Sequence, residues 1–176
     1  IKSVNVAHKL ARGKSAFVNR TYKNALDLTL PPVIEAWRED GYVEDVHFVM
    51  FKQPPTSWPK PVMAPLSYES CISWYTGHVS YVVRQDRKNS FRGPSIDVVF
   101  ADEGLALIKE RFEEEVLGAM RGNRQIFKNV HLHQGLHIAS SKPYGTEGRW
   151  LLDYGNYYTI DGDDYELVRN KIADVA

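Results

Sequence analysis

The 176-residue chain contains a single cysteine, Cys71. One thiol excludes an intrachain disulfide and a thiolate-bound metal cluster. Long apolar stretches are missing as well: no run exceeds five residues, so no segment spans a bilayer as a helix. Net charge is absent, with 22 basic residues against 22 acidic ones, which excludes a histone-like polycation. There is no GxxxxGK(S/T) phosphate loop, no GxGxxG after a strand and no GxSxG elbow. Catalysis therefore has no motif in its favour. The chain opens on Ile1 without a signal-peptide pattern, so any leader is expected to be already gone.

What is present is ordinary folding material, 43% hydrophobic and 25% charged, enough for one domain or two small ones closely joined. The charge is unevenly placed. Residues 1–30 carry Lys2, Lys9, Arg12, Lys14, Arg20 and Lys23 against the single acid Asp27. Arg84, Arg87, Lys88 and Arg92 form a second basic group, and Arg121, Arg124, Lys128 and Lys142 a third. Acids gather at Asp102, Glu103, Glu110 and Glu113 to Glu115, and again at Asp161 to Glu166. A basic face opposite an acidic one suits binding to a polyanion. The simpler alternative is a set of solvated loops and helix faces.

Hydrophobic periodicity predicts a short amphipathic helix over 3–12, closed by Gly13, and a half-buried strand over 25–30 with Leu26, Leu28 and Leu30 on one face. Pro31-Pro32 then opens a second helix that ends at Asp40-Gly41. Residues 42–51 read as a strand, and the five prolines of 53–65 as a stiff extended insertion. Tyr68 to Tyr75 and Val79 to Arg84 form a hairpin, and Ser95 to Ala101 a further strand. Leu105 to Leu117 has the best helical periodicity in the chain. Ile126 to Leu132, Leu136 to Ala139 and Trp150 to Ile160 read as β. The expectation is an α+β fold of two small layers: an α-β-α-β-β unit over 1–84 and a mostly β unit over 85–176.

Three features invite chemistry. His131, His133 and His137 have strand spacing that suits a metal, although no carboxylate is placed to orient them. Asp161 to Glu166 resembles half a calcium loop but lacks its closing Glu, and reads better as a turn with a capping Asp. Cys71 belongs to an apolar strand and reads as core. Two polar loops are more telling. Arg87 to Pro94 brings cations, a hydroxyl and an amide onto a Gly-Pro corner, suited to phosphates. Ala139 to Thr146 sets small hydroxyls beside Lys142, suited to an RNA minor groove.

At these residues the chain resembles the S-eight family of universal small-subunit ribosomal proteins. Arg38-Glu39-Asp40-Gly41-Tyr42-Val43 is similar to that family's helix-ending turn, and Arg87 to Val98 to its Lys-Arg-x-Ser-x-x-Gly-x-x-Val-x-Val segment. Gly135-Leu136-His137-Ile138-Ala139-Ser140-Ser141-Lys142, with Thr146, resembles its carboxy-terminal RNA-contact signature. The proline-rich insertion, about twenty extra residues after Glu103 and the neutral charge depart from the pattern and suit a mitochondrial ribosome.

The resemblance implies a non-catalytic structural constituent of the small ribosomal subunit that binds rRNA and adjoins other ribosomal proteins. No cofactor, membrane or small-molecule substrate is expected. Ser140, Ser141, Lys142 and Thr146 would contact the minor groove. Arg87, Lys88, Ser90 and Arg92 would bind the backbone, supported by Lys9, Arg12 and Lys14. The alternative is a metal-dependent hydrolase using His131, His133 and His137.

Overall fold

In the computed structural model the described residues are 2–88, 91, 93–141, 146 and 148–152. Two compact units are distinguished, Ile1–Ser141 and Lys142–Ala176. In the first, helices accompany a six-stranded mixed sheet, the α+β class expected. The strands are β1 (Lys14–Asn19), β2 (Phe48–Met50), β3 (Cys71–Trp74), β4 (Val79–Arg84), β5 (Val98–Ala101) and β6 (Leu136–Ile138). Their spatial order is β2-β3-β4-β1-β5-β6. β1 pairs in parallel with β4 and with β5, and β5 in parallel with β6, while β2 and β3 add antiparallel strands at the far edge. The sheet takes strands from both sides of residue 84, so the boundary expected there falls within one sheet. In the second unit residues 150–152 are helical, and the rest of the strand expected over 150–160 lies outside the described residues.

All six residues of β1 are buried, as a strand paired on both edges and covered on both faces must be. Its register puts Phe17 beside Val82 and Phe100 on one face, and the helices α1 (Lys2–Lys9) and α2 (22–39) supply the residues that cover them. Val4 and Ala7 come from α1, and Ala25, Leu30 and Trp37 from α2. Trp37, fully buried, meets Trp74 edge-on with ring centroids 4.8 Å apart and Phe48 at 5.1 Å. Its indole N–H donates to Ser3 Oγ, tying α2 to the first turn of α1. On the opposite face Ala16, Val18, Val83 and Val99 are equally buried. There Phe91 packs edge-on against Tyr81, and a helical stretch α3 (109–119) contributes buried Phe112 and Val116. The hairpin predicted around Thr76-Gly77 is present as β3 and β4. At Gly77, with φ of +81°, a Cβ would sit 2.8 Å from the Pro59 carbonyl.

Several elements differ from expectation: β1 was not expected, only Phe48–Met50 of the strand over 42–51 is present, and extended Leu107 interrupts the helix over 105–117. Residues 25–30 are helical, because α2 runs α over Tyr22–Asn24, π over Ala25–Thr29 and α again over Leu30–Glu39. The leucine alternation was fortuitous: Leu28 is 61% exposed, and the buried set is Ala25, Thr29 and Leu30, which is helical spacing. Pro31 and Pro32 lack the N–H groups that would bond back along the helix, and the π turn just before them absorbs the mismatch. Residues 126–132 are not a strand either. A short helix α4 (Arg124–Phe127) follows Asn123, which has a positive φ of 37°, and turns follow that. The apolar residues there serve one small cluster, with Phe127, Val130 and Leu132 beside Val6, Leu10 and Val98.

At the amino end of the parallel strands the interior is polar and largely hydrogen-bonded, with Asp97 Oδ1 the buried exception there. His78 is completely buried, with Nδ1 donating to the Leu10 carbonyl at 2.9 Å and Nε2 accepting from Ser15 Oγ at 2.9 Å. Ser15 in turn lies 2.8 Å from Ser80 Oγ. Burial pushes the His78 imidazole down to about 4, so it is held neutral. The unfolded chain, with an ordinary imidazole near 6.5, takes up the proton first. Stability contributed by neutral His78 is therefore complete above about pH 6.5 and declines as the pH falls toward 4, by on the order of 3 kcal/mol. Urea midpoints measured from pH 7 to 4 are expected to show this loss, and a His78→Gln variant a shallower slope.

Candidate functional site

Parallel strands deliver their following residues to one edge of the sheet, and in open sheets that edge is where ligands bind. Here β1 closes at Asn19, β4 at Arg84, β5 at Ala101 and β6 at Ile138. The edge thus carries Arg20, Gln85, Asp102, Glu103 and Ser140. Helix α1 leads back into β1, so its first turn reaches the same edge. Lys2, Ser3, Thr29, Asp102 and His137 line an open cleft of about 560 Å³ floored by Phe17 and Phe100.

Asp102 is the most firmly placed polar residue in that cleft. Its backbone N–H donates to Val18 O, keeping it in line with the sheet. Its Oδ2 lies 2.6 Å from Thr29 Oγ1, and its Oδ1 accepts from the Glu103 N–H at 3.0 Å. Each carboxylate oxygen therefore has one protein partner and a lone pair to spare. Glu103 follows directly, exposed, in a left-handed conformation with φ of 51°. Gly104 N–H donates to Ala139 O and Leu105 N–H to Ser140 Oγ, which fastens the end of β5 to the end of β6. His137 stacks on Phe100 with centroids 5.2 Å apart and planes 18° from parallel. Burial, and then Lys2, hold its imidazole below the usual range.

A second cleft, about 780 Å³, adjoins the end of β4, with Tyr22, Tyr81, Phe91, Arg84, Arg87 and Lys88 in its walls. The Arg84 guanidinium stands 5.9 Å over the Tyr22 ring and pairs with Asp86. Burial lifts the Tyr81 hydroxyl to about 12, so it stays protonated.

The residues expected to bind nucleic acid are not gathered together. Lys9 and Arg12 are exposed at the far end of α1, where the Arg12 side chain donates to Lys60 O. Lys14 is 2% exposed within β1, and burial holds its ammonium below the ordinary lysine range, so it is no surface cation. Arg87 and Lys88 lie at the opposite end of the sheet, exposed. Ser140 and Ser141 follow β6 and are exposed, and Thr146 belongs to the second unit. Ser90, Arg92, Lys142 and the Asp161 to Glu166 turn lie outside the described residues. Cys71 is buried as expected, its thiol pushed up to about 12.

The three histidines do not form a metal site. His131 is exposed and His137 packs in the cleft just described. His133 instead donates from Nε2 to Gly122 O at 2.9 Å and lies 3.3 Å from Oδ1 of Asp97, a contact too poorly aligned to be a second hydrogen bond. Among the described residues no group of three or more His, Cys, Asp or Glu could hold a metal ion. Asp97, fully buried at the start of β5, also accepts from Lys14 N–H at 2.7 Å and from Asn123 Nδ2 at 2.9 Å.

No protein-family model matches the chain, and no curated protein does. Among solved structures it is similar to the Thermus phage P74-26 large terminase ATPase domain, with a TM-score of 0.49 and 15% identity. The likeness covers 86% of this chain and 55% of that one, so the chain spans about half the length of that structure.

The expectations of a non-catalytic ribosomal component and of no enzymatic role are corrected here. The residues expected to contact RNA are scattered over both ends of the sheet, and the parallel strands instead bring two adjoining carboxylates, Asp102 and Glu103, to their carboxyl edge. The alternative hydrolase on His131, His133 and His137 falls with the separation of those side chains. Sequence reasoning missed Asp102, Glu103, Thr29 and Asn19. The available signal is an apolar strand, Val98 to Ala101, that ends directly in Asp-Glu.

His133→Ala is expected to destabilise the protein by about 1–3 kcal/mol, because it leaves the Gly122 carbonyl and Asp97 without their neighbour. His131→Ala should stay within about 0.5 kcal/mol of the parent. Denaturant midpoints of the two variants check this.

Proposed function

We propose that the chain carries out metal-assisted phosphoryl transfer from a nucleoside triphosphate at the carboxyl edge of its parallel strands. The observation that carries this reading is Asp102 at the end of β5, which lines one cleft with Lys2 and Ser3 of α1 and is followed directly by exposed Glu103.

Asp102 has the chemistry of a ligand for a hard divalent cation. A magnesium ion typically takes one or two protein carboxylates, with phosphate and water oxygens completing its shell. Both Asp102 oxygens keep free lone pairs, and the carboxylate is oriented by Thr29 and the Glu103 N–H. The cation would neutralise charge on the phosphates as it develops. Glu103, exposed beside it, is placed to orient a water and accept its proton. Lys2 adds a full positive charge in the lining of the same cleft. A cleft of about 560 Å³ is within the range of small-molecule sites.

Phosphate release from a nucleoside triphosphate, measured with and without Mg²⁺, tests the reading. Hydrolysis is expected to require Mg²⁺. Glu103→Gln should retain nucleotide binding and lose turnover by about 10²- to 10⁴-fold. Asp102→Asn should lose the Mg²⁺ dependence itself. Metal-independent release, or unchanged rates in both variants, would contradict it.

A further inference from the structure

The hydrogen bonds behind Asp102 do not balance as they stand. Thr29 Oγ1 lies 2.6 Å from Asp102 Oδ2 and 2.9 Å from Asn19 Oδ1, and both partners are acceptors. A hydroxyl has one proton and cannot donate to both. Asn19 meanwhile is 2% exposed, and its Nδ2, a donor, is buried without any partner. Two faults in one place have one remedy. If the Asn19 amide turns by half a revolution, Nδ2 faces Thr29 and donates to Oγ1, and the Thr29 proton goes undivided to Asp102. What then stays without a partner is a carbonyl oxygen, the more tolerable orphan.

Resting on the phosphoryl-transfer reading, we infer that Asn19 and Thr29 form a one-way hydrogen-bond relay, Asn19 Nδ2–H to Thr29 Oγ1–H to Asp102 Oδ2, that positions Asp102 for the cation. Asn19 and Thr29 are positioning residues, argued to act through Asp102. The relay draws rigidity from elements already fixed: Asn19 ends the central strand, and Thr29 ends the π turn that Pro31 and Pro32 impose on α2. It also ties Asp102 to the end of β4, since the Asn19 carbonyl accepts from Gln85 N–H at 3.1 Å. Supporting partners of this kind are worth about 10- to 100-fold in metal affinity.

Two readouts on the full chain test the relay. In Mg²⁺ titrations of phosphate release, Thr29→Val should raise the apparent KM for Mg²⁺ by about tenfold, with kcat changed less. Thr29→Ser, which keeps the hydroxyl and loses the methyl, should remain near the parent. Asn19→Asp, which removes the donor at constant shape, should fall with Thr29→Val. Independently of activity, the Asn19 side-chain NH₂ should be protected from hydrogen exchange in NMR spectra. That protection should persist in Thr29→Ser, and its resonance should move in Asp102→Asn. An unprotected NH₂, a Thr29→Ser variant as impaired as Thr29→Val, or an Asn19→Asp variant equal to the parent would each overturn the relay. A protected NH₂ that responds to Asp102→Asn in a protein without Mg²⁺-dependent release would uphold the relay and overturn the phosphoryl-transfer reading alone.

Discussion

Strand β1 is hydrogen-bonded on both edges and covered on both faces, yet three of its six side chains are polar. Burying Lys14, Ser15 and Asn19 without partners would cost about 1–3 kcal/mol for each unmet group. The rest of the polar interior follows from meeting that demand. Asp97 receives the Lys14 N–H and moderates its ammonium, His78 and Ser80 complete Ser15, and Thr29 meets Asn19. The aromatic cluster around Trp37 then supplies the apolar burial that closes the face between those polar ends.

The two ends of the strands consequently differ in character. At the amino end the polar groups are interior: Asp97 and His78 are 0% exposed, and a Cβ on Gly122 would come within 2.7 Å of Asp97 Oδ1. Such a region holds the sheet and admits no ligand. At the carboxyl end the same kind of chain, Asn19 to Thr29 to Asp102, leads from a buried amide to a carboxylate that lines an open cleft. A rigid support behind a partly exposed acid is the arrangement that metal and phosphate chemistry needs. The cationic and aromatic cleft beside β4 lies on this edge too, and Arg87 and Lys88 in its walls sit at the carboxyl end of the strands. Lys9 and Arg12 do not.

Much of the architecture was legible where local pattern and tertiary role coincide. The α1 periodicity, the β3–β4 hairpin around Thr76-Gly77, the strand ending at Ala101 and the short strand at Leu136 all stand close to their predicted places. Failures came where a local pattern was accidental. Leu26, Leu28 and Leu30 alternate like a strand, but the prolines that follow them shape a helix with a π turn, and β1 is formed earlier, over residues that carry three polar side chains and so show little alternation. The site was largely illegible for the same reason. Asn19 and Thr29 are ten positions apart in sequence, and Asp102 lies far beyond both; only the parallel pairing of β1 with β5 brings them together. Strand direction, which decides what shares an edge, is invisible in short sequence motifs.

The most direct test of where the chemistry lies is a paramagnetic map of the backbone amides with Mn²⁺ and a nucleoside triphosphate bound. Broadening centred on the amides of Lys2, Ser3 and Asp102 to Leu105, with Ile96 to Val98 and His78 untouched, is the result expected of a site at the carboxyl edge. Broadening centred on the amino end of the strands, or spread evenly over the surface cations, would contradict it.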